Sequence, residues 1–173
     1  MPIKNFWSLE PAECIVAEEL ARRFKNCQVF FPLHDIGIDL LLTKGKKHLG
    51  IQVKESRYYS IKGKILREHS WHQVHQRKFE RGLETVGFYV FVTYLPKYGE
   101  HRFTSFEKKF LIVPTNELAK RVIVKKPGKA GIYSFYFHFD QSNIIDQREK
   151  TKETELMDYS EFIDAWHLIE NAF

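Results

Sequence analysis

Residues 37–54 read Gly37-Ile-Asp-Leu-Leu-Leu-Thr-Lys-Gly-Lys-Lys-His-Leu-Gly-Ile-Gln-Val-Lys54, and the fold turns on how this stretch pairs with itself. Gly45-Lys46 suits a two-residue turn, with glycine at the first central position of a type II′ hairpin. Lys44 then faces Lys47, Thr43 faces His48, Leu41 faces Gly50, Asp39 faces Gln52 and Gly37 faces Lys54. Opposed residues of an antiparallel pair share a face, and alternate residues keep to it. One face is therefore predicted to carry Asp39, Gln52 and Lys54, with Leu41, Gly37 and Gly50 beside them. The other carries Ile38, Leu40, Leu42, Leu49, Ile51 and Val53. A slip of one residue would separate Asp39 from Lys54 and mix the apolar set, so the pattern fixes the register. The residues alone leave two readings open. Asp, Gln and Lys can form an ordinary solvated sheet face, or a functional cluster in which the two glycines admit a close approach to the backbone.

Working outward, Ser8 and Pro11 mark the start of an amphipathic helix from Glu10 to about Lys25, with Glu13, Val16, Ala17, Leu20 and Phe24 on one side. Strands are expected at 28–32, 38–43 and 48–54. Residues 57–68 read as a flexible excursion or extra hairpin around Gly63, and 70–81 as a second helix capped by Ser70. Further strands are expected at 88–95, 110–113 and 132–139, and a short helix at 115–121. The aromatic strand reads as core, and Cys14 and Cys27 as buried free thiols. Residues 146–155 read as an exposed connector, followed by a last helix behind an Asp158/Glu161 capping box. This order implies an α/β core with a mixed sheet, in a single domain whose core spans about 10–95 and whose C-terminal elaboration spans about 100–173.

The segments Gly37-Ile-Asp-Leu-Leu and Ile51-Gln-Val-Lys54, preceded by a helix carrying Glu13, resemble the PD-(D/E)XK nuclease superfamily in its Gln-containing D…QxK form. The resemblance spans roughly residues 10–95. It implies a restriction-endonuclease-like fold, with a mixed central sheet flanked by helices in the order α-β-β-β-α-β and C-terminal strand and helix additions. By the same resemblance Asp39 is the central metal ligand, Gln52 stands where the second acid usually does, and Lys54 is the motif lysine. The Val53 carbonyl completes the inner shell, and Glu13 binds directly or through water. The implied cofactor is Mg²⁺ or Mn²⁺, a hard cation suited to carboxylate, amide and water oxygens. The implied reaction is hydrolysis of DNA phosphodiester bonds, with duplex DNA favoured over RNA and a homodimer or higher assembly. Ile38 stands where many members have Pro. Gln52 removes one negative charge, which leaves room for a nuclease-like module that binds nucleic acid without cutting it. Some branches resembling methylation-dependent restriction enzymes, and one type of homing endonuclease, also use Gln there.

Charge fits a nucleic-acid partner. The 173 residues hold 27 Lys+Arg and 22 Asp+Glu, a formal net charge of +5. Residues 44–81 alone carry eleven cations against Glu55, Glu68 and Glu80, so the excess is local. Candidate phosphate contacts are Lys44, Lys46, Lys47, Arg57, Lys62, Lys64, Arg67, His72, Gln76 and Lys78. Tyr58, Tyr59 and Trp71 lie among them as stacking groups. A second basic cluster surrounds Pro127-Gly128, with Lys120, Arg121, Lys125, Lys126 and Lys129. The alternative for the basic run is a solvated hairpin. His69, His72 and His75 share a side of the expected second helix, without companion ligands for zinc. No membrane-length apolar run, signal peptide, disulfide framework, P-loop or nucleophile elbow is present, and an intracellular, cytoplasmic protein is expected. The aromatic C-terminal half also admits an interaction or assembly role.

Overall fold

The structure is a computed structural model that describes residues 9–34, 37–56, 58–61, 64–98, 103–128, 130–140, 143–148 and 154–173. Helix α1 (Pro11–Arg23) begins with Pro in its first turn and ends with Arg22 and Arg23, which suit the negative end of the helix dipole. It leads into β1 (Gln28–Phe30), β2 (Leu40–Lys44) and β3 (Lys47–Ser56). The hairpin β4 (Tyr58–Ile61) and β5 (Lys64–His75) follows, then α2 (Gln76–Gly82) and β6 (Val86–Tyr98). The chain continues through β7 (Phe103–Pro114), α3 (Thr115–Val122), β8 (Ile132–Asp140), β9 (Asn143–Asp146) and α4 (His167–Glu170).

A five-stranded mixed sheet runs in the order β1-β2-β3-β6-β7, with β3 and β6 parallel and its other pairs antiparallel. The hairpin register is the predicted one: Leu41 faces Gly50, Thr43 faces His48 and Lys44 faces Lys47. Gly45 has φ +60°, while Lys46 stays out of the left-handed region, as a type II′ turn requires. Strand β6 lies inside the sheet, between β3 and β7, and buries apolar residues on both sides. Phe88, Val90 and Val92 join Leu40, Leu42, Ile51 and Val53 in a core closed by Val16 and Leu20 of α1 and by Trp166 and Ile169. On the opposite side Tyr89 and Phe91 meet Phe79 of α2, Leu118 and Val122 of α3, and the aromatic strand β8. Tyr133, Phe135, Phe137 and Phe139 are all buried there, as expected.

The second face is covered by more than helices. A four-stranded antiparallel sheet, β4-β5-β8-β9, packs against it. This corrects the expected helix at 70–81: residues 70–75 continue β5, and only Gln76–Gly82 is helical. In a strand the spacing of His69, His72 and His75 alternates faces, so His72 points into the core. The expected connector at 146–155 begins inside β9, with Asp146 buried. The expected last helix is two short 3₁₀ turns and the four-residue α4. The capping box does not form: Asp158 accepts from the Ser160 N–H at 2.8 Å, while Glu161 pairs with Arg121 at 3.0 Å. Cys14 is exposed and Cys27 half-buried, so neither thiol is a core residue. Ser8 lies outside the described residues.

Ile38 also departs from expectation. Gly37 has φ +87°, which turns the chain before β2 starts at Leu40 and releases Ile38 from the alternation. Ile38 joins the core under the second sheet, not that of Leu40. It packs over Gly50, where an added Cβ would lie 3.0 Å from its Cδ1 and 2.3 Å from the Thr85 carbonyl oxygen. The close backbone approach inferred at Gly50 is thus made by the protein's own chain.

Candidate active site

The far end of the β2–β3 hairpin from its turn brings Asp39 and Gln52 together. The Asp39 N–H donates to the Ile51 carbonyl at 2.9 Å, which carries the ladder one step past β2. Beyond that point the side chain of Asp39 takes over: its Oδ2 accepts from the Val53 N–H at 2.9 Å and from the Gln52 amide nitrogen. Two donors on one oxygen fix the plane of the carboxylate. Gln52 Nε2 also lies 3.5 Å from the Val53 carbonyl oxygen. Asp39 and Gln52 are each 7% exposed, and Glu13, on the inner side of α1, is 4% exposed.

Lys54 is half-buried next to this group. Burial pulls its ammonium below the ordinary lysine range; Asp39, Glu10 and Glu13 act against that shift and Lys78 acts with it. The ammonium therefore lies within electrostatic reach of three carboxylates and of Lys78 on α2. Phe91 lies opposite Lys54 and Tyr89 opposite Gln52 in the parallel β3–β6 ladder. Burial, reinforced by Asp39, holds the Tyr89 phenol well above its ordinary range, so it stays protonated. The sequence reading missed Tyr89 and Glu10. The available signal for Glu10 was its place three residues before Glu13, one turn away on a helix.

Of the expected nucleic-acid contacts, Lys78 acts on Lys54 from α2, and His72 lies against the Lys54 main chain from the core side. Gln76 opens α2, where its amide donates to Glu80 at 2.9 Å. Lys44, Lys46 and Lys47 sit at the hairpin turn, about 17 Å from Asp39 for five residues of extended strand. There Lys47 donates to the Phe173 carbonyl and Lys44 lies 5.9 Å from the Phe173 ring. Arg57 and Lys62 lie outside the described residues, as do the side chains of Lys64 and Arg67.

His72 must be reassigned. It is 1% exposed between the sheets, so it cannot touch a phosphate. Its Nε2 meets Thr93 Oγ1 at 3.0 Å, and its ring packs edge-on against Phe91 at 5.2 Å. Burial pushes its pKa down to about 3, opposed by a hydrogen bond to the Lys54 main chain, so the imidazole is neutral. The second basic cluster is likewise structural in part. Arg121 pairs with Glu117 and Glu161 and lies over the rings of Tyr159 and Phe162, and Lys125 pairs with Asp146. Lys129 lies outside the described residues.

No protein family and no curated protein matches the sequence. Among solved structures the chain is similar to a bacterial homing endonuclease, I-Ssp6803I. The two share 18% identity and a TM-score of 0.48, over 91% of this chain and 87% of that one. No helix among the described residues is long and apolar enough to cross a membrane.

Asp39, Gln52 and Val53 offer hard oxygens, one carboxylate, one amide and one main-chain carbonyl, and Glu13 adds a second carboxylate within electrostatic reach of Lys54. Among the described residues no three His, Cys, Asp or Glu side chains are grouped to hold a metal ion, so a cation would depend on Gln52 and Val53 to complete the set. That chemistry fits Mg²⁺, which tolerates neutral oxygen ligands and keeps several waters. One adjustment is needed. The Gln52 amide nitrogen faces Asp39, so ligation by Gln52 requires the amide to turn over and exchange a hydrogen bond for a metal–oxygen contact.

Proposed function

We propose that this chain is a Mg²⁺- or Mn²⁺-dependent DNA endonuclease on a restriction-endonuclease-like core, acting as a homodimer or higher homo-oligomer. The observation that carries the reading is the meeting of Asp39, Gln52 and the Val53 main chain at one buried strand end, with Lys54 under the influence of Glu13 and Glu10. Asp39, Glu13, the Gln52 amide oxygen and the Val53 carbonyl would hold the cation. When bound, it supplies Lewis acidity and a lowered pKa for an attacking water. Asp39 is oriented by the Val53 N–H, so its second oxygen has a fixed direction before any ligand arrives. Lys54 offsets charge growing on the phosphate or orients the nucleophile, and its half-buried position strengthens that effect over the same charge in water. Lys78 adds a second cation from α2. The neutral His72 packs behind the Lys54 main chain and adds no repulsion to its ammonium.

Purified protein should nick or cut plasmid DNA with Mg²⁺ or Mn²⁺, stop on chelation, and lose cutting in Lys54→Met while retaining its fold. Uncut DNA under all divalent conditions would reject the enzyme reading. A second reading has its own support in the Gln52 amide, which occupies the Asp39 oxygen as a neutral stand-in for a cation. A non-cutting DNA-binding module predicts binding indifferent to divalent ions, with log K falling against log salt at about −0.9 per phosphate contacted.

A further inference from the structure

The outer face of the second sheet carries a feature that the cleavage cluster does not use. Along β5, Ser70, His72 and Val74 are buried while Trp71, Gln73 and His75 are exposed. Trp71 is 43% exposed and directly opposes Tyr136 of β8. The two line an open cavity of about 280 Å³ together with Ser134, Gln147 and Arg148. Among the described residues, that lining holds one cation and no carboxylate. Of the described acids on this side, Asp146 is paired with Lys125 at 2.6 Å, and Glu68 is 3.6 Å from His138.

The cavity is built on fixed main chain. Asp146 Oδ1 accepts from the N–H groups of Tyr136 at 2.9 Å and Arg148 at 3.0 Å, and the Gln147 N–H donates to the Tyr136 carbonyl at 2.8 Å. On the other side the Trp71 N–H donates to Ser56 Oγ at 2.9 Å, and Ser56 is two residues beyond Lys54 on β3. The aromatic floor is thus tied through one strand to the candidate active site.

We propose, resting on the nuclease reading above, that this cavity receives a single nucleotide of the DNA substrate whose base is out of the helical stack. Trp71 and Tyr136 stack on the base, Ser134 and Gln147 meet its polar edge, and Arg148 meets its phosphate. Bases inside a duplex have both faces covered by neighbours, so an aromatic pair lining an open cavity engages only an unstacked one. The volume admits one nucleotide and not a duplex. The substrate class that follows is DNA with a single-stranded arm, bulge or other extrahelical nucleotide.

The test uses the full chain with chelator present, so that binding is read without cleavage. Fluorescence anisotropy compares a blunt duplex, the same duplex with a single-stranded arm, and a thymidine oligomer. The arm should tighten binding at least about tenfold, Trp71→Ala should remove most of that gain, and Trp71→Phe should keep it. Arg148→Gln should weaken binding and make the salt slope shallower by about one contact. Equal binding of blunt and armed duplexes overturns the proposal, as does unchanged selectivity in Trp71→Ala. A change in oligomeric state with DNA selectivity intact also overturns it, by giving the face to a second copy of the chain. Asp39-dependent cutting with unaltered Trp71→Ala selectivity rejects this inference and leaves the nuclease reading standing. A wild-type protein that binds no DNA rejects both.

Discussion

Lys125 and Asp146 form an ion pair at 2.6 Å with side chains 1% and 0% exposed, and removing one partner strands the other charge in the interior. Asp146→Asn keeps an oxygen for the Tyr136 and Arg148 N–H groups but leaves Lys125 with neutral partners, among them the Ser134 carbonyl at 2.9 Å. Breaking a buried pair in this way costs about 3–5 kcal/mol. With an unfolding entropy of about 2.1 cal/mol/K per residue, the 173-residue chain has roughly 360 cal/mol/K, so Tm should fall by about 8–14 °C. Lys125→Met should fall similarly, because Asp146 is then the stranded charge. The double variant Lys125→Met/Asp146→Asn buries no charge and should recover a large part of the loss. Differential scanning calorimetry of the four proteins completes the cycle; a double variant that loses less than either single variant corresponds to a coupling of at least about 3 kcal/mol, the upper end of the range for neighbouring residues. Single variants that melt within 2 °C of wild type, or a double variant whose loss is the plain sum, would show that Lys125 and Asp146 are not a coupled buried pair.

Gly50→Ala places a methyl group 2.3 Å from the Thr85 carbonyl oxygen, which must move; a loss of at least about 1–3 kcal/mol is expected in urea unfolding, and an unchanged midpoint would contradict the packing described. Burial lowers the folded-state pKa of Lys54, so between that value and the ordinary 10.5 the unfolded chain binds more protons and stability rises with pH. Lys54→Met removes this penalty: the variant should melt above wild type near pH 7, with the gap closing towards pH 10.5, while losing cleavage. His72 titrates at about 3 when folded against 6.5 ordinarily, so its contribution to stability is present above 6.5 and lost as pH falls towards 3. The slope is up to about 1.4 kcal/mol per pH unit. Denaturant titrations of His72→Phe between pH 6 and 4 should lack that share of the acid loss, and parallel curves for variant and wild type would exclude it.

The hairpin was legible because two local facts agree: Gly45 permits the turn, and the apolar alternation admits a single register. The second sheet was not legible, because β5 and β8 are joined by a long intervening sequence and their pairing leaves no local mark. Within β5 the inward positions are Ser70, His72 and Val74, two of them polar, so the alternation that marks a strand is hidden. The three-residue spacing of the histidines imitates a helix face instead. His72 is tolerated inside because Thr93 satisfies one of its ring nitrogens. Ile38 was misplaced for a different reason: its alternation holds only if the strand starts before it, and Gly37 breaks the chain direction first. At the candidate site, the meeting of Asp39 with Gln52 was legible from the hairpin register, with Lys54 next along the same strand face. Tyr89 was not, since its place opposite Gln52 depends on the parallel crossover.

Plasmid cleavage by Asp39→Ala, measured beside wild type in Mg²⁺ with matched folding and DNA affinity, tests the proposed nuclease activity most directly. If the carboxylate that Val53 and Gln52 hold in place recruits the cation as proposed, the wild type cuts and the variant does not. Equal cutting by the two proteins would contradict that proposal outright.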